Sequence, residues 1–277
     1  MFCRNDLFID ILEAIDSRGN SRRSLSQGRR RIVTTEHEKA FEREVWGGTV
    51  GNLPSGLVPP RQVLDGRTII LEPLDPAVHG AALYQASHGS KEALKIWEYM
   101  PWGPWPSEEG FLEWLRQCAA SFDWIWYVCR PKESGTIQGV ATFMDMSPTL
   151  GVIEIGVCFS PEMQRTRAAT EATFLMLDCA MTELRYRRIQ WRCNAQNQGS
   201  RNAAARLGFK YEGIFYNHMI LKGHNRDTAC YSILDTDWPA VRKIFNAWLA
   251  DNNFDAEGVA QSSLFEQMRD RSFAPRG

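Results

Sequence analysis

One stretch decides the fold: Glu154-Ile155-Gly156-Val157-Cys158-Phe159-Ser160-Pro161-Glu162-Met163-Gln164-Arg165-Thr166-Arg167-Ala168-Ala169-Thr170-Glu171-Ala172. Its first part alternates like a β-strand, a short polar loop follows, and a helix then opens with small residues. The N-terminus of a helix carries unpaired N–H groups and a positive dipole end, to which Arg165 and Arg167 add formal charge. The loop therefore predicts a pyrophosphate site. The alternative is an ordinary strand–helix connection that Thr166 caps.

The pattern around this stretch predicts the order β, α, α, β, β, β, α, β, α, β, β. One strand–helix–strand crossover in the middle makes part of the sheet parallel. We therefore expect an α+β fold, with a mixed central sheet of about six to seven strands and helices on both faces. The strands and helices are expected near residues 67–72, 76–87, 107–118, 125–129, 137–144, 152–159, 167–184, 189–193, 198–206, 209–215, 228–234 and 238–249.

Composition divides the chain into four parts. Residues 1–45 are expected to form a flexible basic N-terminal tail, and residues 46–61 an extended lead-in rich in Gly and Pro. Residues 62–236 hold the periodic pattern of a folded domain, and residues 237–277 a C-terminal helix and tail. The arginines of the tail leave open a second interpretation, in which this segment docks on an acidic partner.

Charge and hydropathy limit the class of protein. The 277 residues carry a net charge of −1, so no global field favours nucleic acid as a partner. No run approaches the roughly 18 apolar residues of a membrane helix, and acidic residues interrupt the N-terminus where a secretory signal would be apolar. We expect a cytoplasmic protein without a membrane partner.

The seven cysteines are widely spaced and include no C-x-x-C pair. This spacing argues against a disulfide framework and against a zinc site. We therefore predict no metal, and we interpret most of the cysteines as small core residues.

A second motif follows the first by about twenty residues: Asn194-Ala195-Gln196-Asn197-Gln198-Gly199-Ser200-Arg201-Asn202-Ala203-Ala204-Ala205-Arg206-Leu207-Gly208-Phe209, then Tyr211-Glu212-Gly213. With the first motif, this run resembles the GNAT acetyltransferases, and in particular the RimJ/RimL-like branch that acetylates the N-termini of ribosomal proteins. The resemblance covers about residues 62–236 and implies the GNAT fold, with acetyl-CoA as co-substrate.

The resemblance also implies which residues bind acetyl-CoA. In the family, backbone amides of the first motif hold the pyrophosphate. Here a Gly of the family pattern is replaced by Arg167, which could contact the phosphate directly or crowd the loop; we favour direct contact. The residues expected around the co-substrate are Val157, Phe159, Gln164, Arg165, Thr166, Arg167, Ala168, Ala169, Thr170, Asn197 and Ser200.

Two residues of the second motif receive roles by the same resemblance. Asn197 would bond the pantetheine arm, and it would also suit the N-cap of the following helix. Ser200 would lie near the sulfur of CoA, where its hydroxyl could protonate the departing thiolate. Many family members place a Tyr in this helix for that task, whereas this chain has Ala203, Ala204 and Ala205 there.

Glu154 is the candidate general base, because the family often places a Glu on this strand facing the acceptor. Alternation puts Glu154 on one strand face with Gly156 and Cys158. The competing interpretation is a solvent-facing or salt-bridged carboxylate. Backbone N–H groups between Val157 and Phe159 would polarise the thioester carbonyl. Cys158 as an acyl-carrying nucleophile is a weaker alternative.

An aromatic segment lies where the family builds the wall of the acceptor site. Its predicted substrate-binding residues are Trp97, Tyr99 and Trp102, although the same residues could belong to the core. The run 222–228, Lys-Gly-His-Asn-Arg-Asp-Thr, also resembles a recurring element of the branch. Turn chemistry and a local interaction between Arg226 and Asp227 are the conservative interpretation.

The sequence thus predicts an N-acetyltransferase that moves an acetyl group from acetyl-CoA to a primary amine, on a protein N-terminus or a small molecule. Attack is direct, with help from a general base. The alternative is a catalytically impaired acyl-CoA-binding protein, motivated by Arg167 and by the missing Tyr. A homodimer is a further hypothesis.

Overall fold

The computed structural model describes residues 50, 51 and 53–271. The predicted tail, residues 1–45, and part of the lead-in lie outside this range. The strands are β1 Leu64–Asp65, β2 Ile69–Pro73, β3 Ile125–Pro131, β4 Gly139–Ser147, β5 Val152–Phe159, β6 Arg188–Asn194, β7 Lys210–Leu221 and β8 His224–Leu234. The helices are α1 Pro76–His88, α2 Lys91–Leu94, α3 Glu108–Ala120, α4 Arg167–Asp178, α5 Gln198–Arg206, α6 Trp238–Trp248 and α7 Leu264–Asp270.

The strands form one mixed sheet in the order β1-β2-β3-β4-β5-β6-β8-β7. β5 and β6 pair in parallel, whereas the other neighbouring strands pair antiparallel. The predicted α+β class is therefore confirmed. The sheet has one strand more than the predicted six to seven, because the two residues of β1 pair with β2 ahead of the first expected strand.

Helices cover both faces of the sheet, as predicted. On one face, Ile153 and Ile155 of β5 pack with α4 and with the C-terminal helices. On the other face, Trp126 and Val128 of β3 pack with α1, α3 and the aromatic segment. Because side chains alternate along a strand, Glu154, Gly156 and Cys158 lie on the second face, which we call the acceptor face.

A buried carboxylate fixes the position of α4. Glu171 accepts hydrogen bonds from the backbone N–H groups of Arg67 and Thr68, both 2.7 Å long. The hydroxyl of Thr68 donates to the same carboxylate. Because Glu171 lies one turn inside the helix, these bonds tie the first turns of α4 to the beginning of β2.

Two boundaries differ from the sequence-based expectations. The hairpin strands extend to Leu221 and from His224, so the turn is the two residues Lys222 and Gly223 rather than a longer loop near residues 223–225. Both turn residues have positive φ, 50° and 80°, which suits the twist of a two-residue hairpin. The helix predicted to reach residue 184 ends as an α-helix at Asp178 and continues as a π-turn, Cys179–Glu183.

The C-terminal segment contains more regular structure than its weak sequence pattern indicates. The helix predicted at 238–249 is confirmed as α6, and α7 follows it. Ser263 caps α7 by accepting from the N–H of Glu266, and Leu264 and Met268 are buried in the main core. Residues 238–271 therefore pack on the same face as α4.

Candidate active site

β5 and β6 separate at their carboxyl ends. The parallel register begins at Val152 and ends at the pair Glu154 and Gln190, although β5 continues to Phe159 and β6 to Asn194. The facing edges of the two strands have no strand partner beyond that point. An opening at the carboxyl ends of parallel strands is a frequent ligand site, because peptide groups there are free to bond a ligand.

The loop after β5 brings a helix N-terminus to this opening. Thr166 caps α4 by accepting from the N–H of Ala169, at 3.1 Å, and its carbonyl accepts from the N–H of Thr170. In the part of the chain that the structure describes, the N–H groups of Arg165, Arg167 and Ala168 have no hydrogen-bond partner. Three donors, one of them on a residue with φ of +65°, thus remain for an anion.

The loop is held by its own side chains. Gln164 donates from Nε2 to the carbonyl of Phe159, at 3.0 Å, and the hydroxyl of Thr166 donates to the carbonyl of Met163, at 2.7 Å. Arg165 is exposed. Val157 and Phe159 are half-buried against the main core at the end of β5. Five of the predicted co-substrate residues therefore lie at the end of β5 and in the loop that follows it.

Arg167 is placed differently from the sequence-based expectation. Its guanidinium donates to the carbonyl of Leu249, forms an ion pair with Asp251 at 2.6 Å and lies 4.2 Å from the ring centroid of Phe254. The side chain therefore binds the C-terminal segment, and the expected direct contact of its guanidinium with a phosphate has no support in this arrangement. Its backbone is helical, so the place of the family Gly is filled without a positive φ.

The second motif closes the opening on the β6 side. Asn197 caps α5 by accepting from the N–H of Ser200, at 3.0 Å, so the capping role is observed. Ser200 Oγ accepts from Nε1 of Trp191, also at 3.0 Å. Because this oxygen is an acceptor for the indole, the hydroxyl hydrogen of Ser200 can be donated, and the side chain of Cys193 is a neighbouring hydrogen-bond partner.

Glu154 is buried and salt-bridged rather than solvent-facing. The Glu154 carboxylate accepts from Nε of Arg192, and the same guanidinium also binds Asp145. Burial raises the pKa of Glu154 to about 8, against the opposing effects of the charge of Arg226 and of a hydrogen bond with the backbone of Arg192. A carboxylate with a pKa near neutrality suits a general base. The salt-bridged alternative is also present in this geometry, so activity measurements have to separate the two.

Sequence reasoning missed the groups around Glu154. Arg192 lies on β6, two residues beyond the partner of Glu154 in the parallel register. Arg226 and His218 belong to the β7–β8 hairpin, and His218 Nδ1 lies 2.9 Å from the hydroxyl of Thr228. Burial and the charges of Arg192 and Arg226 lower the pKa of His218. Alternation along β6 and β8 could have placed both arginines on the acceptor face.

The aromatic segment divides between core and surface. Trp97 is buried, and its Nε1 donates to the carbonyl of Ser87 at 3.1 Å. Tyr99 and Trp102 are half-buried, and Nε1 of Trp102 has no partner within the described part of the chain. Nζ of Lys222, at the hairpin turn, donates to the carbonyl of Trp97 at 3.1 Å. The hairpin and this segment therefore meet beside the acceptor face.

The cysteines behave as core residues. Within the described chain, Cys118, Cys129, Cys179, Cys193 and Cys230 are free and buried, and Cys158 is half-buried. Burial raises the pKa of Cys158 to about 12, which disfavours the thiolate that a nucleophile needs. This gives no support to the alternative of an acyl-carrying cysteine.

The described residues hold no group of three or more His, Cys, Asp or Glu side chains placed to share a metal ion. They include no helix whose length and apolar character would let it cross a membrane.

Comparisons with known proteins agree with the fold and the motifs. The acetyltransferase (GNAT) domain family matches residues 68–210. A crystal structure of a GCN5-related N-acetyltransferase from Brucella melitensis is 38% identical, with a TM-score of 0.75 over 79% of this chain and 99% of that one. A crystal structure from Chromobacterium violaceum, described as a probable acetyltransferase of the GNAT family, is 40% identical, with a TM-score of 0.64 over 69% of this chain and 95% of that one.

A curated relative points the same way. The N-acetyltransferase YjdG of Bacillus subtilis, itself uncharacterised, is 27% identical over 145 residues, which are 49% of this chain and 85% of that protein. The sheet, the strand–loop–helix site and these matches define an acyltransferase. The chain belongs to the GNAT N-acetyltransferase family.

Proposed function

We propose that this enzyme transfers an acetyl group from acetyl-CoA to a primary amine, on a protein N-terminus or a small molecule. The observation that carries the proposal is the set of three unpaired backbone N–H groups, at Arg165, Arg167 and Ala168, beside the opening between β5 and β6. They offer the donors and the positive helix end that a pyrophosphate requires. The alternative in which the Arg167 side chain crowds the loop is disfavoured, because this side chain binds the C-terminal segment.

Acetyl-CoA would supply the activated acyl group as a thioester. The amides of residues 165–168 would hold its pyrophosphate, and the free edge of β5 from Val157 to Phe159 would lie along its arm. Asn197 and Ser200 would line the other side. Asn197 Oδ1 is bonded to the helix that it caps, which leaves its side-chain NH₂ group as the donor to the arm.

The amine must be neutral to attack, so a base has to accept its proton. We assign this role to Glu154, acting through water, because the carboxylate is buried on the acceptor face. The nitrogen then forms a bond to the carbonyl carbon, and the carbon–sulfur bond breaks. The nitrogen loses a second proton as the amide forms; Ser200 would take up this proton while it donates its own hydroxyl proton, which Trp191 does not use, to the departing thiolate.

The aromatic segment would form part of the acceptor wall. Tyr99 and Trp102 are the half-buried members, so we assign substrate contact to them. Trp97 is buried in the aromatic core, so we do not assign substrate contact to its side chain. Its carbonyl would contribute to the wall by binding Lys222. The RimJ/RimL-like branch, the homodimer, the cytoplasmic location and the docking role of the N-terminal tail remain predictions.

Thermal unfolding with acetyl-CoA and with CoA tests the co-substrate. Ligand at about 100 times its dissociation constant stabilises the folded state by about 2.7 kcal/mol, so we expect Tm to rise by roughly 5–10 °C. No rise at millimolar ligand would contradict the proposed site. A rise without acetyl transfer to any amine of a wide panel would favour the impaired acyl-CoA-binding protein.

Substitution of Arg167 tests the link between the C-terminal segment and the phosphate loop. Arg167→Ala removes the contacts with Leu249, Asp251 and Phe254. We expect the Kd for acetyl-CoA to rise about tenfold, with kcat nearly unchanged, because the amide donors lose their support. Titration calorimetry measures the change.

The matched control is Arg242→Ala. Arg242 of α6 also bonds α4, through Asp178, but at the far end of the helix. This variant should bind acetyl-CoA like the wild type. Equal affinities for Arg167→Ala and the wild type would show that the contact has no bearing on the site.

A further inference from the structure

The hairpin run 222–228 holds a charged side chain that the proposed chemistry does not use. Cys230 and Thr228 of β8 pair with Arg192 and Asn194 of β6, so alternate residues of β8 lie on the acceptor face. Arg226, two residues before Thr228, is the next one along this face. Its charge acts on Glu154, Arg192 and His218, which places its guanidinium in their neighbourhood.

Arg226 is half-buried, and burial lowers its pKa. In the described chain no carboxylate lies within 4.0 Å of its guanidinium, and its buried Nε has no hydrogen-bond partner. Nη1 of Arg226 donates to Sδ of Met219, at 3.3 Å, and a thioether is a weak acceptor. A guanidinium with such partners lacks the compensation that buried charges normally have.

The neighbouring arginines of the same face are satisfied by carboxylates. Arg188 binds Glu212 through two nitrogens, and Arg192 binds Glu154 and Asp145. These contacts leave Arg226 as the arginine of this group without a carboxylate. Among these three arginines, the guanidinium without a carboxylate partner is therefore that of Arg226, on the β7–β8 hairpin.

The adjacent carboxylate, that of Asp227, does not bind the guanidinium of Arg226. The sequence suggested a local interaction between Arg226 and Asp227. Instead, the Asp227 side chain accepts from the N–H of Asn217, at 2.8 Å, and from Nδ2 of Asn225, at 3.1 Å. Residues adjacent in a strand point to opposite faces, which explains the separation.

We propose that Arg226 binds a carboxylate of the acceptor, so that the substrate class is an amine that also carries a carboxylate. The inference rests on the acetyl-transfer function proposed above. A guanidinium binds a carboxylate through two parallel N–H···O bonds, which would satisfy the buried Nε and a terminal nitrogen together. The amine would then lie toward Glu154, whose carboxylate belongs to the same face.

Equilibrium binding tests the inference independently of turnover. The probes are glycine, β-alanine, γ-aminobutyrate and their longer homologues, each beside its carboxamide, titrated calorimetrically into the full chain with CoA present and absent. The homologues vary the spacing between amine and carboxylate. For the amino acid that binds most tightly, we expect a Kd at least about tenfold lower than that of its carboxamide. A factor of this size corresponds to the contribution of a charge-assisted hydrogen bond.

Variants of Arg226 test whether this residue binds the carboxylate of the probe. Arg226→Met should remove the preference for the carboxylate, and Arg226→Lys should keep only part of it, because Lys cannot form the two-bond contact. Arg242→Met is the matched control, since Arg242 lies on α6 and binds Asp178. Thermal unfolding verifies that each variant is folded.

The outcomes separate the two proposals. Equal affinities of the wild type for acids and amides, or a preference that survives in Arg226→Met, would overturn the inference even if transfer to other amines occurs. If Arg226→Met does not fold, Arg226→Lys takes its place, and an undiminished carboxylate preference in that variant would overturn the inference. Failure of the proposed function would appear instead as carboxylate binding that depends on Arg226 without acetylation of any amine.

Discussion

Replacing Glu154 with Gln is expected to lower kcat by about 100- to 10,000-fold, the range that a general base contributes. The substitution removes the proton acceptor and keeps the size and the planar shape of the side chain. Acetyl-CoA should bind the variant with nearly unchanged affinity, because the proposed phosphate donors lie at residues 165–168. Steady-state kinetics and calorimetry measure the two quantities.

The salt bridge between Glu154 and Arg192 requires a matched control. Glu72→Gln removes another half-buried carboxylate that pairs with an arginine across the sheet, since Glu72 binds Arg130 at 2.8 Å. This variant should keep its turnover. Unchanged turnover in Glu154→Gln would remove Glu154 from the mechanism and leave its ion pair with Arg192 as a structural contact.

The pH dependence of kcat is the second large effect. Only the ionised form of Glu154 accepts a proton, and burial raises its pKa to about 8. Well below that pKa the ionised fraction rises about tenfold per pH unit, so kcat should increase about 50-fold between pH 6 and pH 8 and level off about twofold higher. The amine titrates in the same region, so the profile is measured with two acceptors whose amine pKa values differ by about two units. A midpoint that follows the acceptor would assign the titration to the amine.

Stability gives an independent check of the same pKa. The folded-state pKa of Glu154 lies above the ordinary value of 4.5, so the folded state holds its proton more tightly than the unfolded state. Its contribution to stability is therefore complete below pH 4.5 and is lost as pH rises toward 8. Urea unfolding should show this loss in the wild type but not in Glu154→Gln. Parallel curves for the two proteins would contradict the raised pKa.

The sequence predicted the strand–loop–helix site because its signals are local. The alternation from Glu154 to Phe159, the polar loop and the small residues of α4 lie within twenty residues of one another. The fold class followed from the order of such segments. Thr166 as the cap of α4 and Asn197 as the cap of α5 were also predicted from local chemistry.

Contacts that join distant segments could not be predicted in this way. The partner of Glu154 depends on the parallel register of β5 and β6, which places Arg192 within reach. Arg167 binds residues more than eighty positions further along the chain. The residue pattern of one strand or helix does not show which distant residue Glu154 or Arg167 binds. The apolar pattern after residue 250 is also too weak to predict the segment that binds Arg167.

Amide hydrogen exchange of the full chain with and without acetyl-CoA shows whether the co-substrate occupies the opening between β5 and β6. We expect slower exchange at residues 164–170, where the unpaired N–H groups of the loop and of α4 would bond the pyrophosphate, and at residues 194–200 across the opening. Unchanged exchange in both segments at saturating acetyl-CoA, with protection elsewhere or nowhere, would contradict this placement of the co-substrate.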